Sequence, residues 1–159
     1  MTYQAWVTGE AGGEFEKESL ERPPLGPEEV EVAVDHCGIC HSDLSMWHND
    51  WGMTKWPTIA GHFGGFASSV RAHWAWALPL PDGLNVADSG PLLCGGITVF
   101  NPIAMFATPR SRVGVIGIGG LGHMALKFAA AYGCDVTAFT SSENKFEEAR
   151  GFGAQQVIA

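Results

Sequence analysis

The chain has 159 residues, of which 46% are hydrophobic, and its 9 Lys and Arg against 17 Asp and Glu give a net charge of −8. That length holds one domain or two small ones, and the acidic balance without a basic cluster argues against a nucleic-acid partner. A leader sequence and an apolar run of transmembrane length are both missing, so we predict a soluble cytoplasmic protein that does not bind membranes.

The first half of the chain has the pattern of β-structure. Residues 2–34 are predicted to form β-structure with a turn at 12–13 and a loop at 23–27, because residues 3–7 and 30–34 have the alternation that is typical of half-buried strands. An aromatic loop is predicted over 46–52, and short strands are predicted over 63–82. Within the latter, Trp74 and Trp76 share one face of the expected strand, so we expect both rings to pack.

The second half alternates helix and strand. An apolar segment that begins at Pro91 predicts a helix in two pieces, broken near Pro102. The alternation after this segment is typical of a parallel sheet with crossover helices. The predicted order is strand 113–116, helix 121–132, strand 135–140, helix 143–150 and strand 155–158.

A glycine-rich stretch follows the first strand of that series. Gly117-Ile118-Gly119-Gly120-Leu121-Gly122 fits G-x-G-x-x-G. In a strand–turn–helix context the first glycine allows the tight turn, the second admits a pyrophosphate, and the third lets helix and strand pack closely. The helix N-terminus then offers N–H groups to the phosphates. The stretch predicts a dinucleotide site, with an ordinary glycine-rich turn as the alternative.

The cysteines at 37, 40, 94 and 134 are expected to be reduced in a cytoplasmic protein. Cys37-x-x-Cys40 alone is compatible with zinc, with redox chemistry or with chance, and no second cysteine pair completes a four-thiolate site. Cys40, Cys94 and His62 would form a three-ligand set that leaves one position of a catalytic zinc open. Buried cysteines and a loop histidine are the alternative.

Three stretches, in this order, resemble the zinc-dependent medium-chain alcohol dehydrogenases, and most closely their cinnamyl-alcohol-dehydrogenase-like, NADP-dependent branch. They are CGICHSDLSMWHNDWGMTKWPTIAGH at 37–62, PLLCGGITVF at 91–100 and VGVIGIGGLGHMALKFAAAYG at 113–133. The resemblance covers most of the chain. It implies an α/β protein with a shortened, β-rich GroES-like catalytic domain at 1–94. A partial Rossmann NADP-binding domain would follow at 95–159.

The resemblance also implies roles for single residues. Cys40, His62 and Cys94 match the ligands of one catalytic zinc. Ser42 matches the hydroxyl that relays the proton of the alcohol. Asp43 matches a carboxylate that orients the zinc histidine and so fixes its tautomer. The residues expected near the cofactor phosphates are His41, Gly117, Gly119, Gly120, Leu121 and Gly122.

The end of the second Rossmann strand favours NADP(H) over NAD(H). NAD sites place an acidic residue there to bind the ribose 2′-hydroxyl. Here the strand runs into Thr140, Ser141 and Ser142, with Lys145 close behind, which suits a 2′-phosphate. The alternative is that the two serines only cap the next helix, and Glu143 adds one unfavourable charge.

The chain departs from the family directly after the histidine. Relatives carry Glu next, whereas Phe63 follows His62, and the lobe that holds a second, structural zinc is absent. His62 therefore matches either the zinc histidine or a later Gly-His pair of the family. The chain also ends at Ala159, without the Rossmann part through which the typically homodimeric family dimerises. We expect weaker NADPH binding and lower stability than in a longer relative.

We therefore predict a zinc-dependent oxidoreductase that interconverts a primary alcohol and its aldehyde by hydride transfer with NADP(H). Aromatic alcohols are among the expected substrates, and a small alcohol or aldehyde is the expected partner. The alternative is a non-catalytic zinc- or nucleotide-binding remnant, or an incomplete gene product, of the same family. Phe63 and the missing lobe favour that alternative more than any other feature.

Overall fold

The computed structural model describes residues 1–61 and 64–159, so the predictions for His62 and Phe63 lie outside the described residues. The chain divides into two compact units, Met1–Gly90 and Pro91–Ala159. The first unit is rich in antiparallel strands and the second is a parallel α/β unit, which confirms the predicted fold class. The roles predicted for the two domains stay predictions.

Two antiparallel sheets form the framework of the first unit, in the orders β2-β1-β4 and β3-β5. Ala5 and Val7 of β1 point inward and are only 1% and 6% exposed, because alternate side chains of a strand face opposite sides. The strands are β1 (Thr2–Thr8), β2 (Glu16–Glu21), β3 (Glu29–Ala33), β4 (Thr58–Ile59) and β5 (Ser69–His73).

The backbone of Trp6 binds the segments on both sides of residues 62–63 to β1. Its N–H donates to the carbonyl of Phe66 at 3.0 Å, and its carbonyl accepts from the N–H of Ala60 at 2.8 Å. The N–H of Phe66 also donates to the carbonyl of Ala60 at 3.1 Å. Ala60 and Phe66 are therefore both held at β1 by paired backbone groups.

Two local predictions for the first unit are wrong. The loop expected over 46–52 begins as a helix, because α1 (His41–His48) runs through its first three residues. The strand expected through Trp74 and Trp76 is a 3₁₀ turn, and these indoles are 60% and 80% exposed. The ring of His73 accepts a hydrogen bond from the N–H of Ala75 at 3.1 Å, which caps the turn and ends β5.

The second unit contains a parallel sheet in the order β6-β7-β8. Leu126, Ala129, Val136 and Ala138 lie at its centre and are fully buried between the sheet and its helices. Cys134 is 4% exposed and packs in this core as a small apolar residue. The elements are α3 (Ile97–Phe106), β6 (Arg112–Ile116), α4 (Gly120–Ala131), β7 (Asp135–Phe139), α5 (Phe146–Gly151) and β8 (Gln156–Ile158).

The predicted break near Pro102 is also wrong, because α3 continues through that residue. The irregularity lies earlier, in a π-helical segment at Leu92–Gly96 that follows α2 (Val86–Pro91). Gly95 sits against α4, where an added Cβ would lie 3.3 Å from atoms of Leu121 and Met124. The π-helical segment therefore packs closely on α4, and the pattern of apolar residues in the sequence does not reveal this contact.

The helical run Val86–Phe106 has 21 residues, and an 18-residue window within it has a mean hydropathy of 1.3 and is 17% buried. Among the described residues it is the one helix long and apolar enough to cross a membrane, contrary to the expectation that no run reaches that length. Helices of soluble proteins meet the same criterion, so length and composition do not place it in a membrane.

Candidate functional site

The glycine loop of the second unit joins β6 to α4 in a tight turn. Gly117 adopts φ of +83°, a left-handed conformation that favours glycine. Its N–H donates to the carbonyl of Phe139 at 2.9 Å, which holds the loop at the carboxyl end of β7. A Cβ on Gly122 would lie 2.0 Å from the carbonyl oxygen of Gly117. Close packing of helix on strand therefore requires glycine at 122.

The middle of the loop is open. A Cβ on Gly119 or Gly120 would meet nothing within 4 Å. The N–H of His123 donates to the carbonyl of Gly119 at 2.9 Å and so begins the hydrogen bonding of α4. The N–H groups of the first turn lack intrahelical partners and lie at the positive end of the helix dipole. Open space beside these donors fits the phosphates of a dinucleotide.

The residues predicted to recognise the ribose differ in exposure. Thr140 is 9% exposed, and its hydroxyl accepts a hydrogen bond from the N–H of Ser142 at 3.3 Å. Ser141 is exposed and Ser142 is half-buried. Thr140 therefore shapes the turn after β7, and Ser141 and Ser142 have the more accessible hydroxyls for a ligand.

Lys145 lies against the glycine loop. Its ammonium donates to the carbonyl of Ile118 at 2.9 Å, and its side chain is half-buried. A lysine ammonium has three donors, so this bond leaves two for other acceptors. Lys145, which is predicted to bind a 2′-phosphate, therefore lies beside the glycine motif.

The alternative interpretation, in which Ser141 and Ser142 only cap the next helix, is only partly supported. Ser142 occupies the N-cap position of the 3₁₀ turn Glu143–Lys145, but its side chain makes no capping hydrogen bond. Its hydroxyl donates instead to the side-chain oxygen of Asn144 at 2.5 Å. Helix capping therefore does not explain the hydroxyl-rich sequence at this position.

Cys40 and Asp43 of the first unit form the N-terminal cap of α1. The N–H of Cys40 donates to the carboxylate of Asp43 at 2.7 Å, and the N–H of Asp43 donates to the carbonyl of Cys40 at 3.0 Å. The thiol of Cys40 lies 3.6 Å from the hydroxyl of Ser42. These bonds hold the backbone of Cys40 at the start of α1, and the thiol lies beside the hydroxyl of the predicted proton relay.

A cavity of about 370 Å³ opens next to Cys40. Its walls include the aromatic rings of Phe15, Trp47 and Phe66, and Ile39 and Leu44 add aliphatic surface. His41 and Asp43 also border it. The cavity is suited to an apolar ligand of small-molecule size that carries a polar group toward Cys40.

The two cysteines of the C-x-x-C sequence have different surroundings. Cys37 is half-buried and lines a second cavity of about 340 Å³, together with Gly65. Burial raises the pKa of the Cys37 thiol, and the charge of Asp43 raises it further. A thiol that stays protonated is a poor metal ligand and a poor nucleophile. The prediction of Cys40 rather than Cys37 as a metal ligand stays a prediction.

The predicted zinc set is not assembled within the described residues. Across 1–61 and 64–159, no group of three His, Cys, Asp or Glu side chains is placed to hold a metal ion. Cys40 belongs to the first unit, and Cys94 lies exposed in the π-helical segment of the second unit. His62, the remaining member, lies outside the described residues, so this assignment stays a prediction.

Sequence reasoning did not identify three features of these sites. The capping role of Asp43 has a readable signal, since C-x-x-D at 40–43 imitates a capping box. The contact of Lys145 with Ile118 has no sequence signal, because the two residues are 27 positions apart. Phe15 reaches the cavity from the connection between β1 and β2, and no local pattern marks it.

Residues 26–65 match the alcohol dehydrogenase GroES-like domain. The aldehyde reductase AdhA of Synechocystis sp. is 36% identical over 211 aligned residues, which include 98% of this chain and 63% of the reductase. A cinnamyl alcohol dehydrogenase structure from Sorghum bicolor is 28% identical with a TM-score of 0.86, and the match covers 100% of this chain and 64% of that enzyme. The cinnamyl alcohol dehydrogenase of Helicobacter pylori, solved with NADP(H), shares the fold at 21% identity, with a TM-score of 0.80, over 99% of this chain and 64% of its own.

The chain thus spans slightly less than two thirds of the length of these relatives. The 211 aligned positions of the reductase exceed the 159 residues of the chain by 52. At least that many positions of the aligned region therefore have no counterpart here. This agrees with the internal segment expected to be missing after residue 62.

Proposed function

We propose that the chain belongs to the medium-chain alcohol dehydrogenase family, to whose members it is similar, and that it interconverts a primary alcohol and its aldehyde with NADP(H). The observation that carries the proposal is the open glycine loop with Lys145 bound to its Ile118 carbonyl. An open helix N-terminus and a cation with donors to spare favour a phosphorylated dinucleotide. The family supplies the reaction, hydride transfer to or from the nicotinamide.

The proposed metal is a single zinc held by Cys40, His62 and Cys94. Two thiolates and one imidazole are the donors that zinc prefers, and three ligands leave the fourth position for substrate. When bound, zinc supplies a Lewis acid that polarises the substrate oxygen. Cys40 supports the assignment because it borders an apolar cavity and its backbone is held at the start of α1 by the bond to Asp43.

Ser42 is the proposed carrier of the substrate proton. Its hydroxyl lies 3.6 Å from the Cys40 sulfur, so it would be next to a metal ion held by Cys40. A hydroxyl accepts one proton while it donates its own, which is what a relay requires. Asp43 orients the start of α1 and, in this proposal, the zinc histidine as well.

The Phe15, Trp47 and Phe66 rings around Cys40 support an aromatic or other apolar alcohol as substrate. A cytoplasmic location belongs to the same proposal, because zinc-binding thiols have to remain reduced. A nucleic acid is not a proposed partner, since the net charge is −8.

A second candidate is a protein that binds NADP(H) or zinc without turnover. It is favoured by the 52 or more aligned positions that are absent and by Phe63 in place of the family's Glu. The two candidates differ in one measurable respect, since only the first couples alcohol oxidation to NADP reduction.

The test is NADP-linked oxidation by the purified, zinc-supplemented chain across ethanol, benzyl alcohol and cinnamyl alcohol. Cys40→Ser is the test variant, and Cys37→Ser is its matched control because it removes the neighbouring thiol that we assign no role. We expect turnover in the wild type and in Cys37→Ser and none in Cys40→Ser. NADPH binding without turnover in the wild type would support the second candidate.

A further inference from the structure

The connection between β1 and β2, residues 9–15, is fastened to Trp47 of α1. The indole N–H of Trp47 donates to the carbonyl of Gly13 at 2.9 Å, and the N–H of Gly12 donates to the carbonyl of Trp47 at 3.0 Å. The rings of Phe15 and Trp47 are tilted, with centroids 5.9 Å apart. This connection contains three glycines, so without these contacts it would have many accessible conformations.

The fastening brings Phe15 to the cavity beside Cys40. Phe15 and Trp47 form adjoining aromatic surfaces of that cavity, and Phe66 contributes a third ring. Phe15 is half-buried although the residues on both sides of it are exposed. Its ring is therefore turned inward, where a ligand would contact it.

The charges around this ring select against anions. Exposed Glu14 and Glu16 flank Phe15, and Asp43 borders the same cavity. The nearest cation in sequence, Lys17, lines the other cavity. In the chain without bound metal, an anionic ligand would face Asp43, and the described residues that line the cavity include no lysine to offset this charge, whereas a neutral alcohol would not be repelled.

We propose that Phe15 is a specificity-determining residue of this cavity and that Trp47 is its positioning residue. Together they favour a neutral aromatic alcohol over a small aliphatic alcohol or an aromatic carboxylate. The inference rests on the proposed function for the reaction, but the ring contacts themselves are independent of turnover. Offset or edge-to-face contact with two aromatic rings gives the preference for an aromatic ligand.

Direct binding to the full chain tests this without catalysis. Fluorine NMR titrations would use para-fluorobenzyl alcohol, trifluoroethanol and para-fluorobenzoate as probes. The variants are Phe15→Ala, Phe15→Leu and Trp47→Phe, and Trp74→Ala is the control because it removes an exposed indole of the same unit away from the cavity. Circular dichroism melts would identify any variant that is unfolded.

We expect the wild type to prefer the aromatic alcohol to both other probes. Phe15→Ala should weaken its binding about tenfold and leave trifluoroethanol unchanged, and Phe15→Leu should be intermediate. Trp47→Phe keeps a ring but loses the bond to Gly13, so about threefold weaker binding of the aromatic alcohol is expected. Trp74→Ala should bind all probes as the wild type does.

The proposal would be overturned if the wild type failed to bind para-fluorobenzyl alcohol. It would also be overturned if the folded Phe15→Ala and Phe15→Leu variants bound this alcohol as tightly as the wild type does. If Phe15→Ala weakened the binding of trifluoroethanol by the same factor as that of para-fluorobenzyl alcohol, the proposal would be overturned too, because this would indicate a general structural effect. Phe15-dependent binding in a chain without NADP-linked turnover would leave this inference standing and refute the proposed function.

Discussion

The ammonium of Lys145 donates a hydrogen bond to the carbonyl of Ile118 at 2.9 Å, which joins the turn after β7 to the glycine loop. Ile118 itself is 6% exposed and packs in the core of the second unit, so the acceptor is firmly held. The bond keeps a positive charge beside the open loop before any ligand arrives. Preorganised charge of this kind contributes to phosphate binding because little side-chain entropy remains to be lost.

Lys145→Ala should weaken NADPH binding about tenfold or more, since a charge-assisted hydrogen bond to phosphate is lost. NADH lacks the 2′-phosphate, so its affinity should change much less. Fluorescence titration of both nucleotides measures the ratio, and Lys127→Ala, which removes an exposed lysine on α4, is the control. An equal loss for NADH and NADPH would contradict the assignment of Lys145.

Gly119→Ala and Gly122→Ala should separate binding from folding. The Cβ at 119 enters open space, whereas the Cβ at 122 would lie 2.0 Å from the Gly117 oxygen. We expect Gly119→Ala to melt like the wild type but bind NADPH poorly. Gly122→Ala should lose roughly 1–3 kcal/mol of stability because helix and strand are forced apart. Thermal melts with and without NADPH measure both, and unchanged NADPH binding by Gly119→Ala would refute the loop as the nucleotide site.

Glu31 of β3 predicts a pH dependence of stability. Its carboxylate accepts from the Ser69 hydroxyl at 2.7 Å and from Arg71 at 3.2 Å, and Arg22 lies 3.5 Å away. The Ser69 hydrogen bond, followed by the arginines, lowers the pKa of Glu31. A carboxylate with a lowered pKa in the folded state stabilises the fold above its unfolded pKa. This contribution disappears as the pH falls through the folded pKa.

Glu31→Gln should therefore be less stable than the wild type at neutral pH, and the difference should shrink as the medium is acidified below the ordinary glutamate range. Urea unfolding at neutral pH and at about pH 3 measures this difference. Glu18→Gln, on the exposed β2, removes a carboxylate outside this cluster and controls for net charge. A stability difference that is the same at both pH values would show that the Glu31 interactions do not contribute.

Two substitutions of Asp43 should distinguish its role in capping α1 from its proposed role in orienting the zinc histidine. Asp43→Ala removes the acceptor of the Cys40 N–H and should cost about 1 kcal/mol of stability. Asp43→Asn keeps an acceptor oxygen, so it should melt near the wild type while it binds zinc about tenfold more weakly. Full zinc affinity in Asp43→Asn would limit Asp43 to the cap.

The order of elements in both units was predictable, because strand alternation and the glycine motif are local signals. The parallel sheet follows from the same order, since strand–helix–strand units close in one way. The wrong predictions concern segments whose secondary structure depends on a tertiary or side-chain contact. His73 caps the turn that exposes Trp74 and Trp76, and α1 begins at a Cys–Asp cap rather than at the usual Ser or Thr.

The residues of the candidate sites were predictable from the sequence, but their burial and their contacts were not. The family resemblance distinguishes Cys40 from Cys37, but the sequence does not reveal that Cys37 is half-buried and that burial raises the pKa of its thiol. Phe15 was missed because its contact with Trp47 joins residues far apart in the chain. Lys145 was predicted from its distance to the glycine motif, while its acceptor, Ile118, depends on how β6 and β7 pair.

Zinc content is the measurement that tests the central claim most directly. Elemental analysis of the wild type, Cys37→Ser and Cys40→Ser, purified in the presence of zinc, counts metal ions per chain. The proposal that Cys40 anchors a single catalytic zinc predicts about one zinc per chain in the wild type and in Cys37→Ser, and a marked loss in Cys40→Ser. A wild type without bound zinc, or Cys40→Ser with as much zinc as the wild type, would contradict it.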